Sequence, residues 1–248
     1  MIRYLVALSL FLSSCAYFRS ATTPMPMARY AAPADSADTL VVLLPGMGDS
    51  PEDFVEQGFV RRIQEVRPTA DVIAADAHFG YYRSRTFLQR LKSDVIDPVA
   101  ARYEQIWLVG ISLGGFGSAI FCEQNPETID GMILLAPFMG ERDIVEQVRA
   151  AGGLAKWTPP ADIAGMADDA EQKFTQLWAF YRGYANETAA TMPKLYLGWG
   201  ESDGLHVPNG MVADVLPSEQ SLAMPGGHKW TVWRPLFDQL VVRALAND

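Results

Sequence analysis

Residues 108–115 read LVGISLGG and follow YEQIW, so a run of branched and aromatic side chains stops at a glycine. Ser112 then stands between Gly110 and Gly114, two positions from each. A continuous apolar run is typical of a strand buried in a parallel sheet, and the segment from Ser112 to about Glu123 predicts a helix. The stretch therefore predicts a tight strand-to-helix turn that exposes the serine oxygen at the positive end of a helix.

The rest of the chain repeats this alternation of apolar runs and helical patterns. Strands alternating with helices predict an α/β fold with a mostly parallel sheet of about six strands flanked by helices. The predicted strands cover residues 39–44, 71–75, 105–110, 131–137, 194–199 and 221–225.

Two further segments carry clear helical signals. Ser50-Pro51-Glu52-Asp53 has an N-cap serine, proline at the first helical position and acids in the first turn, which predicts one helix to about Val66. Residues 139–192 are too many for a loop and too few for a domain, and they contain two helical patterns. We interpret them as a small helical cap inserted into an α/β domain that spans residues 39–248.

The N-terminus resembles a bacterial lipoprotein signal. Arg3 precedes a short apolar stretch, and Leu12-Ser13-Ser14-Cys15 resembles the lipobox. The resemblance implies cleavage after residue 14 and lipid on Cys15, which holds the protein on a membrane. Residues 16–38 are rich in Ala, Pro, Ser and Thr without sustained periodicity. Residues 15–38 are therefore expected to be the lipidated N-terminus and a tether, with a short strand near residues 28–31. Ala16 favours the outer membrane, facing the periplasm, if the source is Gram-negative. A plain secretory signal with an incidental cysteine is the alternative.

Composition excludes several classes of function. The 248 residues carry a formal net charge of −9 without basic runs, which argues against nucleic-acid binding. The chain has three scattered histidines and two cysteines, with no metal-ligand spacing and no phosphate-binding glycine loop, so we expect no metal and no cofactor. Cys122 is expected to be a small buried residue.

A serine oxygen becomes a nucleophile only beside a base that is itself oriented by an acid. His228 lies in PGGHKW, between the last predicted strand and the last helix. In GWGESDGLHVP, after the strand 194–199, Glu201 and Asp203 are the candidate acids.

These three motifs together resemble the α/β-hydrolase superfamily over roughly residues 39–246. G-x-S-x-G after a strand is that family's nucleophile elbow, and the order serine, acid, histidine is the family's order. The family's acid stands in G-x-x-D after a strand, which Gly200-Glu201-Ser202-Asp203 matches. The resemblance therefore implies Asp203 as the orienting acid, with Glu201 as the fallback. Little sequence precedes Thr39, so the two leading antiparallel strands of the full fold are expected to be missing.

The resemblance implies an oxyanion hole made by two backbone amides. One belongs to Leu113, the residue after the serine. The other is expected from the loop LPGMGDS, where Met47 occupies the matching position. The implied activity is that of a serine hydrolase, with Ser112, His228 and Asp203 as the catalytic triad.

A carboxylesterase for small to medium acyl groups is the function we expect, with a small acyl compound as substrate. A thioesterase, lipase or acyltransferase of the same fold is an alternative, and a non-catalytic binding lipoprotein is another.

Several side chains near the expected site have two interpretations. Tyr81, Arg83 and Arg85 follow a strand, after His78, and could contact substrate, although a solvated loop is favoured. His206 could form part of the pocket rim, although a structural role in its loop is favoured. The aromatic residues of the cap are expected to be mostly core, with one or two lining an acyl pocket; they are Trp178, Phe180, Tyr181 and Tyr184.

Overall fold

The computed structural model describes residues 19–246. Their centre is one seven-stranded sheet. The strands are β1 (Met27–Tyr30), β2 (Thr39–Leu44), β3 (Ala70–Ala75), β4 (Gln105–Ile111), β5 (Gly131–Leu135), β6 (Lys194–Gly200) and β7 (Ser221–Met224).

The sheet order is β1-β3-β2-β4-β5-β6-β7, and every neighbouring pair is parallel except β1 with β3. The expected α/β class is thus confirmed: the sheet has seven strands, where about six were expected. Strand β1 comes from the short segment before Thr39, close to the short strand expected near residues 28–31, and pairs antiparallel along the free edge of β3. One antiparallel edge strand is therefore present, although the two leading antiparallel strands were expected to be missing.

Helices cover both faces of the sheet. They are α1 (Pro51–Glu56), α2 (Phe59–Val66), α3 (Phe79–Arg83), α4 (Phe87–Arg90), α5 (Leu113–Gln124), α6 (Arg142–Ala150), α7 (Asp169–Arg182), α8 (His206–Ala213) and α9 (Trp230–Leu245). Short 3₁₀ turns span Ala100–Arg102, Gly183–Ala185, Glu187–Thr191 and Ser218–Gln220, and a π-helical segment spans Leu91–Ile96. Within residues 19–246, no helix is long and apolar enough to cross a membrane.

The single helix expected over residues 51–66 is two helices. Gly58 adopts a φ of 79°, a left-handed conformation that a helix interior does not allow. The break lets Phe59 stack on Phe237 of α9, with ring centroids 3.9 Å apart. The capping signal at Ser50 is real, since its side chain and Asp53 form a capping box.

The core lies on the two faces of the sheet, because successive residues of a strand point to opposite sides. Leu40, Val42 and Leu44 of β2 belong to one buried cluster, and Val41 and Leu43 belong to the other. All six residues of β2 are buried, as expected of a strand covered on both faces.

The segment expected to be a tether is instead packed on the domain from Arg19 onward. Arg19 forms an ion pair with Asp76, which follows β3. Met25 is buried in the core, and its backbone N–H donates to Asp94 over 2.9 Å. The segment packs on the domain because Met25 enters the core and because β1 pairs with the edge of β3. The predicted signal peptide, residues 1–14, and Cys15 lie outside the described residues.

The insertion between β5 and β6 contains α6 and α7. Trp178 of α7 is fully buried, and its indole N–H donates to the carbonyl of Met139 over 2.7 Å. Tyr181 is also buried, whereas Phe180 and Tyr184 pack partly exposed against the same core. The cap aromatics are thus mainly core, as expected from their helical spacing.

Candidate active site

Ser112 occupies a strained turn between β4 and α5. Its φ of 50° and ψ of −110° lie outside the regions that a residue with a side chain normally adopts. The turn is held from both sides. The N–H of Ser112 donates to Leu135 over 2.9 Å, and its carbonyl accepts from Phe116 and Phe138 at 3.0 Å each. The backbone therefore fixes the serine above the carboxyl edge of the sheet.

The glycines on either side of Ser112 are required by close packing. A methyl group on Gly110 would overlap the carbonyl of Gly114, and one on Gly114 would overlap the carbonyl of Leu44. At Gly115 an added Cβ would lie 2.8 Å from Cβ of Pro137. Helix α5 thus begins directly against strand β4 and the loop after β2, which requires residues without side chains.

The three predicted polar side chains lie in one hydrogen-bonded line. Nε2 of His228 is 2.9 Å from Oγ of Ser112, and Nδ1 is 2.7 Å from Oδ2 of Asp203. The three residues come from the turns after β4, β7 and β6. Because all three strands are parallel, their carboxyl ends meet at one edge, and distant parts of the chain converge there.

Burial separates the carboxylate of this line from the histidine. The side chain of Asp203 is 1 % exposed, whereas that of His228 is 35 % exposed. Oδ1 of Asp203 accepts the backbone N–H of Leu205 over 2.8 Å, so both carboxylate oxygens have donors. Glu201, the fallback acid, is exposed, and its backbone N–H donates to Met224. The structure brings Asp203, not Glu201, to the histidine.

The loop after β2 lies beside the serine. A Cβ atom added to Gly46 would be 3.6 Å from Cβ of Ser112 and 3.6 Å from the carbonyl oxygen of Ile111. Met47, the next residue, is 45 % exposed. Leu113 is the first residue of α5, and the first N–H groups of a helix lack intrahelical acceptors. The two expected oxyanion donors therefore belong to backbone segments on either side of Ser112.

The other candidate residues have local structural roles. Nδ1 of His78 accepts the N–H of Gly80 over 3.1 Å and caps α3, and burial followed by the charge of Arg19 lowers the pKa of His78. Tyr81 is buried and donates to the carbonyl of Thr22 over 3.0 Å. Nδ1 of His206 lies 2.6 Å from the carbonyl oxygen of Asp203.

A triangle of phenylalanines lies next to the serine turn. The rings of Phe116, Phe138 and Phe174 have centroids 5.8 to 6.0 Å apart. Phe116 and Phe138 are the two residues whose N–H groups bind the carbonyl of Ser112. Phe174 belongs to α7, so the insertion contributes directly to this aromatic cluster. The sequence did not single out these residues.

A cleft of about 160 Å³ runs between α5, α7 and the segment before α4. Its apolar walls include Phe116, Ile120 and Leu177, and the exposed Arg85 and Lys173 also line it. Arg85 has a φ of 58°, and its guanidinium pairs with Asp169 at 2.6 Å. Of the segment 80–85, Arg85 thus lines a cleft, while Tyr81 is core.

Two residues near the site escaped the sequence interpretation. Oδ1 of Asp49 accepts the indole N–H of Trp230 over 3.1 Å. Burial raises the pKa of Asp49 above its ordinary value, and the hydrogen bond from Trp230 opposes this. The available signal was an acid inside the LPGMGDS loop and a tryptophan two residues after His228.

Within the described residues, the thiol of Cys122 is not an alternative nucleophile. Cys122 is free and fully buried, and burial raises its thiol pKa well above its ordinary value. Such a thiol is unreactive at neutral pH. Among residues 19–246, no group of three or more histidine, cysteine or acidic side chains is arranged to hold a metal ion.

The sequence model of the alpha/beta hydrolase family matches residues 18–247. The chain belongs to the alpha/beta hydrolase family. No curated protein is significantly similar to it in sequence.

Solved structures share the fold at low sequence identity. The S-formylglutathione hydrolase FrmB of Staphylococcus aureus aligns with a TM-score of 0.59 and 16 % identity, over 92 % of this chain and 98 % of that one. Est1E of Butyrivibrio proteoclasticus gives 0.57 and 15 %, over 91 % and 95 %. The fluorophosphonate-binding serine hydrolase F of S. aureus gives 0.55 and 16 %, over 94 % and 89 %. At such identities the likeness concerns the fold.

Proposed function

We propose that the protein is a serine hydrolase that cleaves carboxylic esters of small to medium acyl groups. The observation that carries the proposal is the hydrogen-bonded line Ser112–His228–Asp203 at the carboxyl edge of the sheet, with distances of 2.9 and 2.7 Å. These are the contacts that a serine, its general base and an orienting acid require.

In this mechanism His228 takes the proton of Ser112 through Nε2 while Oγ attacks the acyl carbonyl. The backbone N–H groups of Met47 and Leu113 stabilise the oxyanion that forms. His228 then gives its proton to the leaving alcohol, which leaves an acyl group on Ser112. Water, deprotonated by the same imidazole, releases the acid and restores the serine.

The buried carboxylate of Asp203 has two functions in this cycle. It holds the imidazole with Nδ1 toward itself and Nε2 toward Ser112, and its negative charge stabilises the imidazolium intermediate. Its second oxygen is fixed by Leu205, so the carboxylate cannot rotate freely.

The cleft beside Phe116 supports an acyl group of moderate length. It begins one helical turn from Ser112 and follows α5 past Ile120. The aromatic triangle and these apolar walls suit hydrocarbon better than a charged substrate.

A fluorophosphonate probe tests the nucleophile directly, because it reacts with an activated serine and phosphonylates it. Full-length protein in detergent should be labelled, and Ser112→Ala should not. Ser93→Ala is the matched control, since Ser93 is an exposed serine whose hydroxyl donates to Asp94 rather than to a histidine. A folded wild-type protein that is not labelled by the probe would overturn the proposal. That result would favour a non-catalytic binding lipoprotein.

Matched oxygen and sulfur esters of the same acyl group separate an esterase from a thioesterase. We expect the oxygen ester to be hydrolysed. If only the thioester is cleaved, the protein is a thioesterase and this part of the proposal is wrong. Acyl transfer is measured in the same assay by adding an alcohol and looking for the new ester.

We also propose that Cys15 carries lipid and anchors the protein to a membrane, the outer membrane in a Gram-negative host. The support is the sequence Leu12-Ser13-Ser14-Cys15 behind an apolar stretch. Radioactive palmitate should label the wild-type protein, whereas Cys15→Ala should remain unprocessed and unlabelled. A wild-type protein that is processed without taking up label would instead indicate a plain secretory signal.

A further inference from the structure

Asp49 is an acidic residue beside the triad that the mechanism above does not use. It lies in the loop between β2 and α1 and is partly exposed. Oδ2 points back at the loop, because a Cβ atom added to Gly46 would lie only 2.6 Å from it. Oδ1 accepts the indole N–H of Trp230 over 3.1 Å. The carboxylate of Asp49 thus contacts the loop of residues 44–50, which we call the oxyanion loop, with one oxygen. Its other oxygen contacts the start of α9.

The indole that binds Asp49 is itself held in place. Trp230 packs edge-on against Phe54, Phe59 and Trp233, with ring centroids 5.7, 5.5 and 5.4 Å away. Trp233 also packs edge-on against His228, at 4.8 Å. The donor to Asp49 therefore belongs to the same aromatic cluster that supports the histidine.

We propose that Asp49 is a positioning residue that fixes the oxyanion loop relative to the loop between β7 and α9, which carries His228. The contact at Gly46 sets where the N–H of Met47 lies, and the contact with Trp230 ties that loop to the segment that carries His228. The inference rests on the proposed function, because it concerns the geometry in which the oxyanion and the imidazolium form. A displacement of about 1 Å in such a site costs on the order of 100-fold in rate.

The charged groups that face Asp49 are Asp53 of α1 and His228. Burial raises the pKa of Asp49 and the charge of Asp53 raises it further, while the Trp230 hydrogen bond and a protonated His228 lower it. Ionised Asp49 accepts hydrogen bonds from the indole of Trp230 and from the backbone of Gly46. Once protonated, one oxygen becomes a donor, and the clamp between the two loops weakens. The clamp is therefore present above the raised pKa and is lost as the pH falls through it.

Four single variants of the full-length protein and the double variant Asp49→Ala/Trp230→Phe test this role. Asp49→Ala removes the clamp, Asp49→Asn keeps an acceptor but removes the charge, and Trp230→Phe keeps the ring but removes the donor. Glu52→Gln is the matched control, because it removes one negative charge from an exposed position in the same segment.

We expect Asp49→Ala to lower kcat by about 10- to 100-fold with little change in KM. Trp230→Phe should also lower kcat. The double variant Asp49→Ala/Trp230→Phe should have a kcat no lower than that of the more damaging single variant, because both substitutions break the same contact. Glu52→Gln should retain wild-type kcat. Thermal unfolding of each variant verifies that it folds.

The pH profile distinguishes positioning from a merely structural role. In the wild type, kcat should fall at low pH more steeply than one titrating group allows, because the clamp and the histidine both respond to protonation. In Asp49→Asn the acid limb should follow a single group. A folded Asp49→Ala with wild-type kcat, or an Asp49→Asn profile with the wild-type acid limb, would overturn the inference.

Failure of this inference is distinguishable from failure of the proposed function. If fluorophosphonate does not label the wild type, the proposed nucleophile is wrong. If it labels wild type and Asp49→Ala at the same rate, the nucleophile stands and the positioning role of Asp49 is rejected.

Discussion

The loops at the carboxyl edge of the sheet and the insertion after β5 are stabilised by different contacts. Around Ser112, hydrogen bonds of 2.7 to 3.0 Å join side chains and backbone of separate strands. In the insertion, aromatic rings pack against α5, and Asp169 forms exposed ion pairs with Arg85 and Lys173.

If the protein acts as proposed, the loops at the sheet edge determine the reaction rate, and the insertion determines the preference among substrates. Hydrogen bonds fix the distances between groups, which a proton transfer needs. Apolar packing fixes volume and tolerates changes of shape when the volume is kept. Substitutions at the sheet edge should therefore change the rate for every substrate, and substitutions facing the cleft should change the preference among substrates.

The largest effect is expected at the buried carboxylate. Asp203→Asn keeps the shape but favours the wrong imidazole tautomer, so kcat should fall by about 10⁴-fold. Glu201→Gln is the matched control two residues away and should keep nearly full activity, because Glu201 is exposed. Steady-state hydrolysis of one ester measures both. The opposite ranking would transfer the role of orienting acid to Glu201.

The next effect concerns the turn itself. Gly114→Ala places a methyl group against the carbonyl of Leu44, so the free energy of unfolding should fall by about 1–3 kcal/mol and labelling at Ser112 should slow. Gly210→Ala is the control, since a methyl group there meets no atom within 4 Å and the residue lies inside α8. It should leave labelling unchanged and raise stability slightly. Equal thermal stability of the two variants would contradict the close packing described.

A smaller and selective effect is expected in the cleft. Ile120→Trp fills space beside Phe116 and should lower kcat/KM for long acyl esters by about 10-fold while sparing acetate esters. Val242→Trp, on a 37 % exposed position of α9, controls for the added indole. A panel of esters of graded acyl length provides the measurement. A uniform loss at all lengths would place the acyl group elsewhere.

The smallest effect is expected at the surface of the insertion. Arg85→Ala removes one of two cations from Asp169, and both partners are more than half exposed. Exposed pairs contribute little, so the free energy of unfolding should change by less than about 1 kcal/mol. Urea unfolding measures this. A larger loss would indicate that the ion pairs, rather than the aromatic contacts, hold the insertion in place.

The sequence sufficed for the fold class and for the three polar residues because their signals are local. An apolar run, G-x-S-x-G and a following helix pattern specify the turn at Ser112. The parallel topology then brings His228 to it although the two are 116 positions apart.

Other features depend on tertiary contacts that no local pattern reports. Asp49 and Trp230 are 181 positions apart, and neither stands in a recognisable spacing. Strand β1 is four residues long, with mixed burial, and forms because β3 offers it an edge. The break at Gly58 was readable in principle, but the capping and apolar signals on both sides suggested one continuous helix.

If Cys15 carries lipid, the ion pair between Arg19 and Asp76 limits how far the domain can move from the membrane. Arg19 shares a surface cleft with Ser50, at the end of the loop after β2, and with Glu52 of α1. Three residues separate Cys15 from Arg19, and the four Cα–Cα steps between these two residues span at most about 14 Å even when fully extended. Acylation of Cys15 would therefore hold the proposed active site close to the lipid headgroups of the bilayer, where amphiphilic esters are concentrated.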